Sequence, residues 1–129
     1  MKVYASHLLE HFDYATEVDT VLAEWVRVLR PGGLLRTAVP DVDKYIKDRS
    51  TLNSFVLDRY FLGGHKDEND RHGSVFDETK LKQCMGKAGI GGIQRFDSFT
   101  KDCSSLPISL NLDGRKRWVK PLAKPRVCL

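Results

Sequence analysis

The residues best equipped for chemistry come early and close together. His7, Glu10 and His11 stand in the order H-x-x-E-H within S-H-L-L-E-H, a spacing used by one class of metallopeptidase. On a helix it sets two imidazoles one turn apart so that both hold zinc, while the glutamate polarises a bound water. Such a site needs a third protein ligand. Glu78 can be nominated, but no second ligand helix surrounds it and the motif follows directly on a strand. Zinc hydrolysis through H-x-x-E-H therefore stands as an alternative, and no metal is the expectation.

The other chemistry open to these side chains is proton transfer. A histidine titrating near neutrality can act as general base toward an acceptor hydroxyl or amine. His7 fits that role, with Ser6 beside it as a pocket residue and with Glu10 and His11 on the same side. His65 and His72 lie in the polar stretch between Gly63-Gly64 and Gly73, where they could belong to a lid over the acceptor. Asp41, directly after Pro40, reads as a helix cap, and Trp25 as core. Ser109 and Asn111 are assigned no chemistry.

These residues need elements to position them. The 129 residues, 41% hydrophobic and 29% charged, suffice for one domain with a real core. The expected division is a domain over 1–117 and a basic tail over 118–129. Part of the net charge of +4 lies in the last fifteen residues, at Arg115, Lys116, Arg117, Lys120, Lys124 and Arg126. With aromatic interleaving limited to Trp118, a solvated tail is expected and nucleic acid is not. Three dispersed cysteines without C-x-x-C spacing argue against a disulfide framework. No signal-like start and no apolar run of spanning length is present, so a cytoplasmic protein with no membrane association is expected.

Lys2 to Ser6 reads as a strand. Thr16 and Asp19 form a capping box, and Val18, Val21, Leu22, Trp25 and Leu29 recur at helical spacing. The helix predicted from Glu17 to Leu29 is stopped by Arg30-Pro31-Gly32-Gly33. Leu34 to Val39 is short and apolar enough for a buried strand ended by Pro40. Strand, helix, strand with tight connections predicts a parallel pair. Asp41 caps a further helix through Ile46, Leu52 to Phe61 is a second helical stretch, and residues 63–73 form an exposed loop. Asp77 caps a helix carrying Leu81, Cys84, Met85 and Ala88 until Gly89 ends it. Gly89-Ile90-Gly91-Gly92 is read as a helix stop and turn. Ile93 to Phe99 and Ile108 to Leu112 are predicted to form an antiparallel hairpin.

Taken in order, "YASHLLEHF", "VLAEWVRVLRPGGLLRTAVPD", "GGHKDENDRHGSVFD", "LKQCMGKAGI" and "ISLNL" resemble the C-terminal half of a class I S-adenosylmethionine-dependent methyltransferase. The closest likeness is to small bacterial predicted methyltransferases, over about Val3 to Lys116. The resemblance implies an α/β fold with a partial Rossmann-like sheet, the equivalent of strands four, five, seven and six. It also implies flanking helices and a C-terminal antiparallel hairpin. Ser6 and His7 would then stand at the carboxyl end of a parallel strand, where open α/β sheets bind ligands. The family's cofactor is S-adenosylmethionine, which Ser6 and His7 would border.

The sequence lacks the glycine-rich strand-to-helix turn and following acidic residue with which such folds grip that cofactor. Weak or absent binding by this chain alone is therefore expected. Methyl transfer would need another chain or an upstream segment. Without the neighbouring strand, the edge at Val3 to Ser6 would be bare. A homodimer through that edge, or a separate polypeptide supplying the missing half, is the expected partner. The alternative in another class is a non-catalytic binding or self-association module.

Overall fold

The computed structural model describes residues 1–47, 58–98 and 100–118. Strand β1, Lys2–Ser6, runs parallel to β2, Leu34–Pro40, in a register that sets Lys2 against Leu34 and Ser6 against Ala38. The apolar run of β2 forms a strand because it is covered: Leu35, Ala38 and Val39 are fully buried. Helix α1, Val18–Arg27, connects the pair. Its stripe of Val18, Leu22 and Val26 packs with Leu35 and Val39 in one core cluster, as spacing near 3.6 residues requires. Trp25 is only partly buried at the rim of that cluster, edge-on to Phe12.

The start of α1 corrects the expected capping box. Asp13, and not Thr16, organises the chain: its Oδ1 accepts the amides of Ala15 and Thr16, and Glu17 Oε1 accepts the amide of Asp13 in return. The reciprocal pair is thus spaced by four residues and lies in a turn ahead of the helix. The α-helix also ends at Arg27, two residues before Leu29, and Gly32 takes a φ of 80° in the following turn.

After β2, Asp41 Oδ1 accepts the amide of Asp43 and α2 spans Val42–Lys47, as expected. Most of the predicted helix from Leu52 lies outside the described residues. Its end is a π-helical turn, Asp58–Leu62, that sets Phe61 edge-on to Tyr45. Helix α3, Glu78–Lys87, starts where Asp77 accepts the amide of Lys80 and is followed by Gly89 with a φ of 106°.

The last two strands are β3, Ile90–Arg95, and β4, Ser109–Lys116. They are antiparallel, as predicted, but both boundaries move. Ile90-Gly91-Gly92 belongs to the strand and is not a turn. Ile90 is 1% exposed and pairs with Lys116, so burial and pairing override a glycine-poor propensity, and the irregularity is confined to a register shift between Gly91 and Gln94. Residue 99 lies outside the described residues, and 96–98 extend past the strand. The sheet order is β1-β2-β4-β3, with β4 antiparallel to β2. The result is a small α/β fold with a partial Rossmann-like sheet. Among the described residues no strand pairs with the outer edge of β1, and no helix is long and apolar enough to cross a membrane. Trp118 is exposed, and the rest of the predicted tail lies outside the described residues.

Candidate functional site

The carboxyl end of β1 leads into the site. His7 extends the β1–β2 ladder by one bond, its amide donating to Ala38 O at 2.8 Å. It then takes a left-handed φ of 49°, a conformation costly for a residue with a side chain. That reversal aims the imidazole back over the sheet and starts a 3₁₀ turn, Leu9–His11. Leu9 is fully buried in the core, and the turn therefore directs Glu10 and His11 toward the strand ends.

The stretch 63–73, predicted as an exposed loop, is exposed over Gly64 to Asn69 and at Arg71 and half-buried at Gly63, Asp70, His72 and Gly73. Gly63 and Arg71 form a β-bridge, and the His72 amide donates to Leu62 O. The amides of Gly73 and Ser74 both donate to Glu10 O, at 2.7 and 3.1 Å, while Ser74 Oγ donates to Phe12 O. A Cβ at position 73 would lie 2.7 Å from Phe12 O, so glycine alone permits this approach. The consequence is that His72 meets His11 edge-on, with ring centroids 4.5 Å apart.

His7, Glu10, His11 and His72 together line a cleft of about 890 Å³, with Arg59 and Asp70 also in its lining. Four of the expected site residues are thus brought together. Ser6 sits below them, its Oγ buried without a hydrogen-bond partner among the described residues. His65 is not brought in: it is exposed, has a φ of 56° and bonds through Nε2 to Leu62 O at 2.7 Å. Asp41 is buried beneath α2 as its cap.

Sequence reading missed the partner of His7. Its Nε2 lies 2.9 Å from Ser109 Oγ, which donates to Asn111 Oδ1 at 2.7 Å, and Asn111 Nδ2 donates to Ser104 O. A hydroxyl has one proton to give. Ser109 spends it on Asn111, so His7 Nε2 must be the donor and Nδ1 carries the lone pair. Nδ1 faces Glu10 Oε1 at 3.8 Å. The alternation in β4 was the available signal: Ser109 and Asn111 share a face, and β4 lies beside β2.

Burial dominates the electrostatics. Desolvation, helped by His72 and His11 and opposed by Asp102, lowers the His7 pKa to about 4. The expectation of a histidine titrating near neutrality is therefore corrected: His7 is neutral there, and its basicity is low. Glu10 moves the other way. Its side chain is enclosed, both carboxylate oxygens lack hydrogen-bond partners among the described residues, and burial raises its pKa to about 8. Nearby, hydrogen bonds from Ser104 and Tyr4 outweigh desolvation and hold Asp102 well below the usual carboxylate range.

The H-x-x-E-H residues do not share one α-helix: His7 precedes a 3₁₀ turn, Leu9–His11, that carries Glu10 and His11. Ligand-capable atoms within 4.8 Å of one another belong to Glu10, His11 and His72, a group that does not include His7.

Comparison with known proteins agrees with this architecture. Residues 2–37 match a family described as a methyltransferase domain. Among solved structures, a SAM-dependent methyltransferase from Thermotoga maritima, described as a possible histamine N-methyltransferase, superposes with a TM-score of 0.54 at 16% identity. The match covers 90% of this chain and 55% of that one. An O-methyltransferase family protein from Burkholderia thailandensis gives 0.58 at 19% identity, covering 90% of this chain and 30% of that one. The complex of the Haloferax volcanii Trm112 methyltransferase activator with a methyltransferase gives 0.54 at 11% identity, over 92% and 54%. No curated protein matches significantly in sequence. The fold is one portion of a SAM-dependent methyltransferase fold, and the chain spans about half or less of the solved structures it matches.

The residues present do not fit the cofactor's full cradle. That cradle needs a glycine-rich turn leading from a strand into a helix. Here Gly32-Gly33 follows α1 and enters β2, Gly91-Gly92 lies inside β3, and β1 leaves through His7 without a glycine.

Proposed function

We propose that this chain is the acceptor-side part of a SAM-dependent methyltransferase, completed by a further polypeptide segment that carries the glycine-rich half. The observation behind this reading is the polar cleft beyond the carboxyl end of β1, a strand parallel to β2 in a β1-β2-β4-β3 sheet. Open α/β sheets place ligands at that end. In this role His7, fixed as the Nε2–H tautomer by Ser109, presents the Nδ1 lone pair as a hydrogen-bond acceptor that orients the methyl acceptor, Glu10 and His11 shape the cleft floor, and His72 closes its side. His65 stands at the outer edge of the same loop. By itself the chain binds S-adenosylmethionine weakly or not at all.

The test is to isolate a tagged chain from its native cells and assay the eluate with methyl-labelled S-adenosylmethionine. The reading expects transfer only where a polypeptide segment with a glycine-rich strand turn is present, and loss of transfer with His7→Ala. Transfer by the 129-residue chain alone would contradict it.

A second reading is supported by the uncovered outer edge of β1 among the described residues: a self-association module in which two copies pair through Val3 to Ser6. Light scattering that finds a dimer without cofactor affinity favours this module, and a monomer at micromolar concentration dismisses it.

A further inference from the structure

We propose that Glu10, His11 and His72 form a binding site for a divalent first-row transition ion, of which zinc is the simplest case. Their ligand atoms lie within 4.8 Å of one another, and tetrahedral zinc bonds of about 2.0 to 2.2 Å require neighbours about 3.4 Å apart. The ion would draw the three side chains closer by about 1 Å, a shift within the reach of side-chain torsions.

Two further observations point to a cation. Glu10 is 1% exposed, yet neither of its carboxylate oxygens has a hydrogen-bond partner among the described residues. His11 Nδ1 is buried and equally unpartnered. Buried polar atoms are nearly always satisfied, and of the five exceptions among the described residues, three, the two Glu10 oxygens and His11 Nδ1, belong to adjacent residues and can each offer a lone pair. A cation serves such atoms together.

Two imidazoles and one carboxylate favour zinc and its neighbours over magnesium or calcium, which take oxygen ligands. The backbone fixes the pair of elements that carry the ligands, since Gly73 and Ser74 both donate to Glu10 O. Three protein ligands leave a coordination position open toward the cleft, the pattern of sites that act on a bound molecule. Asp70 lies near enough to His11 to interact with it electrostatically, which adds negative charge around the ion. The assignment stands on these side chains and is independent of the methyl-transfer reading.

The experiment uses the untagged chain stripped with chelator and titrated with zinc by calorimetry, then with cobalt by absorption. One equivalent should bind, and cobalt should give the visible bands of a four- or five-coordinate nitrogen and oxygen site. Glu10→Gln and His72→Ala should each weaken zinc binding by about tenfold or more. Glu10→Gln keeps the shape of the side chain, so it remains decisive even where His72→Ala fails to fold. Substoichiometric zinc, undiminished affinity in Glu10→Gln, or a thiolate-to-cobalt charge-transfer band would each overturn the site.

Discussion

Replacing Glu10 by Gln should stabilise the metal-free chain, and by an amount that grows with pH. Below the ordinary glutamate value of 4.5 both folded and unfolded states hold the proton, so the carboxyl adds no pH dependence. Above it the unfolded chain ionises, while the folded chain keeps its proton until about 8 because burial disfavours the charge. The unfolded state then binds fewer protons, and stability falls as pH rises through that window, by about 1.4 kcal/mol per pH unit. Between about pH 6 and about pH 8 the loss attributable to Glu10 is about 2 kcal/mol, a sizeable share of a small domain's stability. Gln keeps the shape and cannot ionise. Urea unfolding followed by circular dichroism, with chelator present, should show the variant's advantage over the parent widening by about that amount between the two pH values. His7, lowered to about 4 in the folded chain from an ordinary 6.5, raises stability as pH climbs through that range and so reaches the lower end of this window. It enters both proteins alike and cancels in the comparison. A difference that stays constant with pH would refute the reasoning and would mean that Glu10 ionises normally in the folded chain.

Two other outcomes follow from the packing. Leu22, fully buried in the core cluster where α1 covers β2, should cost about 2 to 5 kcal/mol on substitution by Ala, read as a lower urea midpoint. Ser109→Ala removes the acceptor of the His7 Nε2 proton and should shift the His7 imidazole nitrogen resonances toward a mixture of tautomers. Unchanged resonances would show that Ser109 does not set the proton's position.

Much of the fold was legible because it follows periodicity and punctuation. The stripe of α1, the apolar run of β2 and the Asp77 cap each state locally what the structure then does. The strand order was legible only through the family resemblance that the ordered motifs carry. What was hidden depends on partners distant in sequence. Ile90 to Gly92 has poor strand propensity, and only pairing with the end of β4 and burial of Ile90 make it a strand. The site divides in the same way. His7, Glu10 and His11 could be singled out from their spacing, whereas the separation of His7 from the group formed by Glu10, His11 and His72 could not. That separation arises from the left-handed turn at His7 and from the hydrogen bonds that tie Gly73 and Ser74 to Glu10. Likewise, the Ser109 contact spans 102 positions.

The central claim is that this sheet presents an acceptor-side cleft while the cofactor's cradle lies on another polypeptide segment. Calorimetric titration of the 129-residue chain with S-adenosylmethionine addresses it most directly. The account predicts no saturable binding in the micromolar range, and a dissociation constant in the low micromolar range would contradict it.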